Sequence, residues 1–250
     1  MSKFELIEND NAPHLRVPHF VVDHKIKEVE KPFPSVASYL VFCGKSRSGK
    51  SSLITSLLTS NRMYYRAFNN VIVCMPKHSF NSMKEEDNPY ANLDPEKVHH
   101  EFNYETLEGI YQQIVGYSQE EEDTLLLIDD YASELKNGDL LKLLNSLVNN
   151  RRHLRLSIWM SVQTYRSIPM SNRKTINCLI LFKCNNKAEI NSIWEEMTFL
   201  SKEQFYDLIT FVFQKPFDYL FIDRDDNSYW KKFSQIIIKD DQKENEKNES

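Results

Sequence analysis

The 250-residue chain carries 31 Lys and Arg against 36 Asp and Glu, a formal charge of −5, and 41% of its residues are apolar. That is enough apolar material for one sizeable core, and it excludes a protein that coats nucleic acid through a uniformly basic surface. No apolar run approaches the roughly 18 residues that cross a bilayer. The opening residues Met1 to Glu5 have the form of neither a signal nor a transit peptide, and four scattered cysteines without a C-x-x-C pair predict free thiols in a reducing compartment. The expectation is a protein of the cytosol or nucleus.

Residues 1–35 hold four prolines, three histidines and one short β-like run, Pro18 to Asp23, and are expected to form an arm on the domain that follows. The apolar run Tyr39-Leu40-Val41-Phe42-Cys43 predicts a buried strand. It leads into Gly44-Lys45-Ser46-Arg47-Ser48-Gly49-Lys50-Ser51, which matches G-x-x-x-x-G-K-[ST] at every fixed position. The apolar residues after Ser52 predict a helix, so strand, loop and helix come in the order this motif requires. In that geometry backbone N–H groups and a helix N-terminus converge on nucleotide phosphates. Lys50 is expected to reach the β- and γ-phosphates and the Ser51 hydroxyl to ligate Mg²⁺. Gly44, Lys45, Ser46, Arg47, Ser48, Gly49, Lys50, Ser51 and Ser52 form the expected ATP-binding set.

Asn70 to Pro76 predicts a parallel strand, and the polar, turn-rich residues 77–103 a long loop or insertion. Leu107, Ile110, Tyr111, Ile114 and Val115 make the stripe of an amphipathic helix over Glu105 to Gly116. Thr124 to Asp130 follows as an apolar strand that ends in two carboxylates. A second helical stripe spans Asp139 to Asn149, with Arg151, Arg152 and Arg155 behind it, and the strand Leu156 to Val162 ends at Gln163. A strand over Cys178 to Phe182, a helix from Lys187 to Met197, a helix opened by the capping-box pattern Ser201-x-x-Gln204, and a last strand over Phe217 to Asp223 complete the body. Residues 239–250 carry three lysines, five acids and no apolar side chain, the composition of a disordered tail. Alternating strands and helices predict an α/β fold, a mostly parallel central sheet covered by helices on both faces, over residues 36–238.

An acid at a strand end about 80 residues after the phosphate loop suits Mg²⁺-nucleotide chemistry, because it belongs beside the γ-phosphate at the C-terminal edge of the sheet. Asp129 is the expected Mg²⁺ ligand, direct or through water, and Asp130 the residue that orients and polarises the attacking water. Gln163, polar at the tip of an apolar strand, is placed to hydrogen-bond the γ-phosphate or that water. Arg151, Arg152 and Arg155 are candidates for an arginine supplied to a neighbouring subunit's site, with Arg166 and Arg173 behind them.

Gly44 to Ser51, Leu125 to Asp130, the run Asn150-Arg151-Arg152-His153-Leu154-Arg155 and the strand ending in Gln163, in this order and spacing, resemble the viral genome-packaging ATPases of the FtsK–HerA superfamily, the poxvirus, giant-virus and virophage type. Phe217 to Asp223 is similar to that family's final strand. The resemblance implies a P-loop NTPase of RecA/ASCE-like fold in which the Gln163 strand lies between the phosphate-loop strand and the acid strand. It implies ATP with Mg²⁺, a homo-oligomeric ring of five or six subunits with ATP between neighbours, double-stranded DNA threaded through it, and capsid proteins at one vertex. It implies no membrane, and a location in the host cytoplasm or viral factory, or with the virion. Asp130 stands where many related ATPases carry Glu. Lys77, Lys84, Lys136 and Lys142 are candidate DNA-phosphate contacts. Two rivals are a P-loop kinase of a small molecule or nucleoside and a non-catalytic ATP-dependent assembly protein. The paired acids with Gln163 favour water activation over the first, and an intact Lys50, Asp129 and Asp130 count against the second.

Overall fold

The structure is a computed structural model that describes residues 24–84, 86 and 88–238. The strand expected at Pro18 to Asp23 and the tail at 239–250 lie outside the described residues.

Nine strands form one sheet in the order β3-β2-β4-β5-β1-β6-β7-β8-β9. They are β1 (Tyr39–Cys43), β2 (Asn70–Cys74), β3 (Val98–His99), β4 (Thr124–Asp129), β5 (Leu156–Val162), β6 (Cys178–Phe182), β7 (Tyr219–Asp223), β8 (Ser228–Lys231) and β9 (Ser234–Ile236). The first six in space are parallel, and β1 is flanked by β5 and β6. The near-continuous apolar runs of the central strands have a simple cause: both faces are buried, and successive residues point to opposite ones. Tyr39, Val41, Cys43, Leu126, Ile128, Ile158 and Met160 enter one core, whereas Leu40, Phe42, Leu125, Leu127 and Trp159 enter the other.

The first core is closed by α3 (Tyr104–Gln119), α4 (Gly138–Asn150), α6 (Lys187–Met197) and α7 (Lys202–Val212), through stripes such as Leu107, Ile110 and Ile114 or Phe205, Leu208 and Val212. Side chains cap all four N-termini: Asn103, Asn137, Asn186 and the full Ser201–Gln204 capping box. The second core is closed by α1 (Lys50–Thr59) and by chain without regular structure. Val29 and Phe33 of the expected arm pack here, as do Met63, Tyr64 and Tyr90. Trp159 is its centre, with Phe42, Tyr64 and Phe68 rings 5.0–6.3 Å away.

Two expectations need correction. Residues 77–103 are more than a loop: they hold the short helix α2 (Lys77–Phe80) and the edge strand β3, which pairs with β2. The strand at 217–223 is not the last, and β7, β8 and β9 are antiparallel. The β7–β8 connection is four residues, 224–227, with Asn227 at φ 48°, and so short a link can only reverse the strand. The remaining short helix, α5 (Met170–Arg173), leads from β5 to β6.

Candidate active site

The phosphate loop leaves the C-terminal end of β1 in the middle of the sheet. Gly44 N–H donates to Val162 O at 3.1 Å, tying the loop to β5, and Ser48 N–H closes back on Lys45 O at 3.2 Å. Two residues supply the left-handed backbone the curl needs, Arg47 at φ 63° and Gly49 at φ 104°. Gly44 has a packing reason as well. A Cβ there would lie 2.7 Å from Phe182 Cβ and 2.7 Å from Ser48 Oγ. No side chain caps the first turn of α1, in contrast to the four helices above, so its amide groups are left facing the loop. Ser48 Oγ is buried and has no hydrogen-bond partner. Lys50 Nζ reaches back over the loop, donating to Gly44 O at 2.6 Å and Lys45 O at 3.3 Å. Burial lowers the Lys50 pKa, and the carboxylates of Asp129 and Asp130 work against that fall. Ser46, Ser51 and Ser52 are exposed around the same turn.

Strand order brings the other candidates to this edge. Because β5 lies between β1 and β4, Gln163 at the end of β5 stands between Lys50 and the acids at the end of β4. Asp129 is only 8% exposed, and burial raises its pKa. The hydroxyl of Ser161, its register partner on β5, acts in the opposite sense; Asp130 adds to the rise, while Lys50 and His78 reduce it. Asp130 is exposed and left-handed, at φ 61°, with its N–H bound to Ser161 O at 3.1 Å. Gln163 Nε2 donates to both Asp130 carboxylate oxygens at 3.1 Å. The three polar residues at these two strand ends therefore act as one unit: Asp129 faces inward, and Gln163 holds Asp130 at the surface.

The donor set fits Mg²⁺, which takes hard oxygen ligands and is commonly shared between one or two protein side chains and nucleotide phosphates. Among the described residues Asp129 is a buried carboxylate without a hydrogen-bonded cation, and Ser51 offers a hydroxyl at the start of α1. Among the described residues no cluster of three or more His, Cys, Asp or Glu could hold a metal by itself.

The arginines are not gathered here. Arg151 and Arg152 precede β5 and stand at the opposite, N-terminal edge of the sheet. Arg151 donates to Val148 O at 2.8 Å and Asn177 Oδ1 at 2.7 Å, and both arginines line a cavity of about 860 Å³ with Asp223 and Asp225. Arg155 is bound to the carbonyl of Glu121. Arg173 is buried, paired with Glu196 at 3.0 Å and stacked over Tyr165. Of these five candidates only Arg166, exposed three residues beyond Gln163, shares the nucleotide edge. Of the lysines, Lys77 follows β2 and Lys136 follows β4 at that same edge, while Lys84 and Lys142 pair with Glu86 and Asp139.

Sequence reasoning missed His78 and Tyr90, whose electrostatics are coupled to Asp129. It also missed Phe182 and Phe217, which lie against Gly49. No spacing pattern links these positions to the loop.

Residues 30–249 match the family described as the poxvirus A32 protein. The chain belongs to this family. No curated protein matches it in a direct sequence comparison. Among solved structures, B204, the DNA-packaging ATPase of Sulfolobus turreted icosahedral virus, superposes with a TM-score of 0.60 at 16% identity, over 77% of this chain and 95% of B204. B204 of Sulfolobus turreted icosahedral virus 2, in complex with AMPPCP, gives 0.58 at 16% identity over 81% and 99%. The EssC ATPases 2 and 3 of Geobacillus thermodenitrificans give 0.53 at 13% identity over 84% of this chain and 42% of theirs. The fold is thus that of P-loop NTPases, and the resemblance to packaging ATPases of the FtsK–HerA type is borne out. No helix of the described residues is long and apolar enough to cross a membrane.

Proposed function

We propose that this member of the poxvirus A32 family is an ATPase that drives double-stranded DNA into a preformed viral capsid. The observation that carries the reading is the Gln163–Asp130 contact beside Lys50, which presents a fixed carboxylate and an amide where a terminal phosphate would end. ATP lies along residues 44–52 with Lys50 released from Gly44 O and Lys45 O to its phosphates. Ser51 and Asp129 would hold Mg²⁺, which would supply charge neutralisation at the phosphates when bound. Asp130 takes a proton from the attacking water, and Gln163 keeps its two oxygens aimed at that water. The chemistry favours hydrolysis over transfer to an acceptor, since these groups converge on water.

Subunits form a ring of five or six. Arg151 and Arg152, which stand far from their own loop, serve a neighbour's site, and exposed Arg166 competes for that role. Lys77 and Lys136, at the nucleotide edge, contact DNA phosphates without reading sequence, and capsid proteins at one vertex receive the motor.

The deciding experiment is ATP turnover with and without long duplex DNA, run beside the oligomer mass. Stimulation by long duplex in a ring-sized species, abolished in Lys50→Ala, is the expected result. Turnover indifferent to DNA refutes the translocase, and phosphate transfer to a small acceptor would make it a kinase. Mixing Lys50→Ala subunits with Arg151→Ala, Arg152→Ala or Arg166→Ala subunits should restore activity for the arginine that acts in trans; no recovery with any of the three removes them all.

A further inference from the structure

Beside the phosphate loop, on the side away from the acids, lies a pocket of about 350 Å³ between the loop and the chain that enters β7. Its walls include Lys45 and Ser48 of the loop, Phe182 at the end of β6, and Lys215 and Phe217 before β7. Phe217 is unusual in two ways. Its side chain is large and apolar, yet the residue is 64% exposed. Its backbone is also left-handed, φ 62°, a conformation that bulky residues seldom adopt.

The surroundings enforce that conformation. Asp218, next in the chain, is 3% exposed and accepts from the Lys215 N–H at 2.9 Å. It pairs with Lys232 at 2.9 Å and Lys231 at 3.3 Å, both from the hairpin formed by β8 and β9, and Asp218 N–H returns to Lys215 O at 3.3 Å. The turn is therefore pinned at both ends, and strain held by pinning is a mark of a functional position. The ring it presents lies against the loop: a Cβ on Gly49 would be 3.2 Å from Phe217 Cδ1 and 3.5 Å from Phe182 Cε1.

Strand order supplies the direction. The terminal-phosphate end of a nucleotide belongs with Asp129, Asp130 and Gln163, on β4 and β5 to one side of β1. The rest of the molecule must leave the loop on the other side, toward β6 and β7, where this pocket lies. The lysines and Arg47 of the pocket supply positive charge, the Ser48 hydroxyl is buried within the phosphate loop, and the one side-chain amide, Gln214, is committed through Nε2 to Thr210 O. What the site offers a nucleobase is an aromatic face.

We infer that Phe217 is the base-stacking residue of this enzyme, held in its strained turn by Asp218 so that its ring covers the nucleobase of the nucleotide bound at residues 44–52. This rests on the nucleotide reading of that loop. The test compares binding of ATP with binding of inorganic tripolyphosphate, which carries the phosphates without the base, in full-length protein. Phe217→Asn is the variant of choice, because Asn accepts a left-handed backbone and lacks the ring; Phe217→Trp restores an aromatic face. Phe217→Asn should weaken ATP binding about tenfold, within the range for base–aromatic stacking, and leave tripolyphosphate binding unchanged, while Phe217→Trp keeps wild-type ATP affinity. Unchanged ATP affinity in Phe217→Asn, or equal losses for ATP and tripolyphosphate, overturns the assignment and leaves the phosphate site standing. Wild-type protein that binds neither ligand overturns the nucleotide reading along with it.

Discussion

Replacing Asp130 by Asn separates chemistry from folding at this site. Asp130 sits at φ 61°, where Asn is at least as comfortable, so the backbone keeps its shape. Gln163 Nε2 now donates to two oxygens 3.1 Å away; the amide leaves it one, at a surface position where a lost hydrogen bond costs about 0.5–1.5 kcal/mol. For a domain of this size that lowers Tm by no more than roughly 5 °C. The catalytic loss is larger. If Asp130 accepts the proton of the attacking water, its removal costs roughly 10²–10⁴ in rate, or about 3–5 kcal/mol in the barrier. ATP affinity should hold, because Lys50, Asp129 and the loop are untouched. Single-turnover phosphate release and ATP titration on the same preparation measure both quantities. A hydrolysis rate within threefold of wild type would refute the role given to Asp130. Asp130→Ala should lose the same rate and about 1–2 kcal/mol more stability, because Ala is strained at positive φ.

Asp129→Asn tests the buried acid through pH. A folded pKa raised by burial means the native state holds its proton to higher pH than the unfolded chain, so that stability is complete below about pH 3.9 and is lost as pH rises through the folded value. Asn has no such loss. Asp129→Asn should melt above wild type at pH 7, the gap closing toward pH 4, while Mg²⁺-dependent hydrolysis disappears; a gap constant across that range would contradict the burial argument. Gly44→Ala forces a Cβ to within 2.7 Å of Phe182 Cβ, and Phe182 is held at the end of β6 by its pairing with Tyr219 on β7. Overpacking of that kind costs about 1–3 kcal/mol, so Tm should fall by roughly 5 °C and ATP binding with it; an Ala variant that melts and binds as wild type would show the loop has room to spare.

The parts of the site that could be read from the chain share a physical basis. Gly44 to Ser51 is a local motif, and its residues do their work through the backbone of one short loop. Strands buried on both faces read as near-continuous apolar runs, which makes Tyr39 to Cys43 and Leu156 to Val162 visible, the latter interrupted only by Ser157 and Ser161, and Leu107, Ile110 and Ile114 mark α3 by their spacing. Because strands end where their polar residues begin, Asp129, Asp130 and Gln163 could be placed at one sheet edge before any pairing was known. The hairpin of β8 and β9 and the two-residue β3 were not visible, since apart from the buried Tyr229 their residues are half-buried or exposed and carry no period.

By itself the sequence determined an α/β domain, a phosphate loop and two strand ends that carry Asp129, Asp130 and Gln163, because each of these is written in neighbouring residues. Which strands lie side by side is written in no stretch of neighbouring residues: the family resemblance implied the place of the Gln163 strand, and the tertiary structure decided the whole order. It placed β5 between β1 and β4, and so joined Gln163 to Asp130. It set Arg151 and Arg152 at the far edge, and it turned β7 antiparallel to bring Phe217 onto Gly49. Those contacts join residues up to 168 positions apart. They arise from the burial of two sheet faces and the closure of short turns, and no local pattern encodes such a balance.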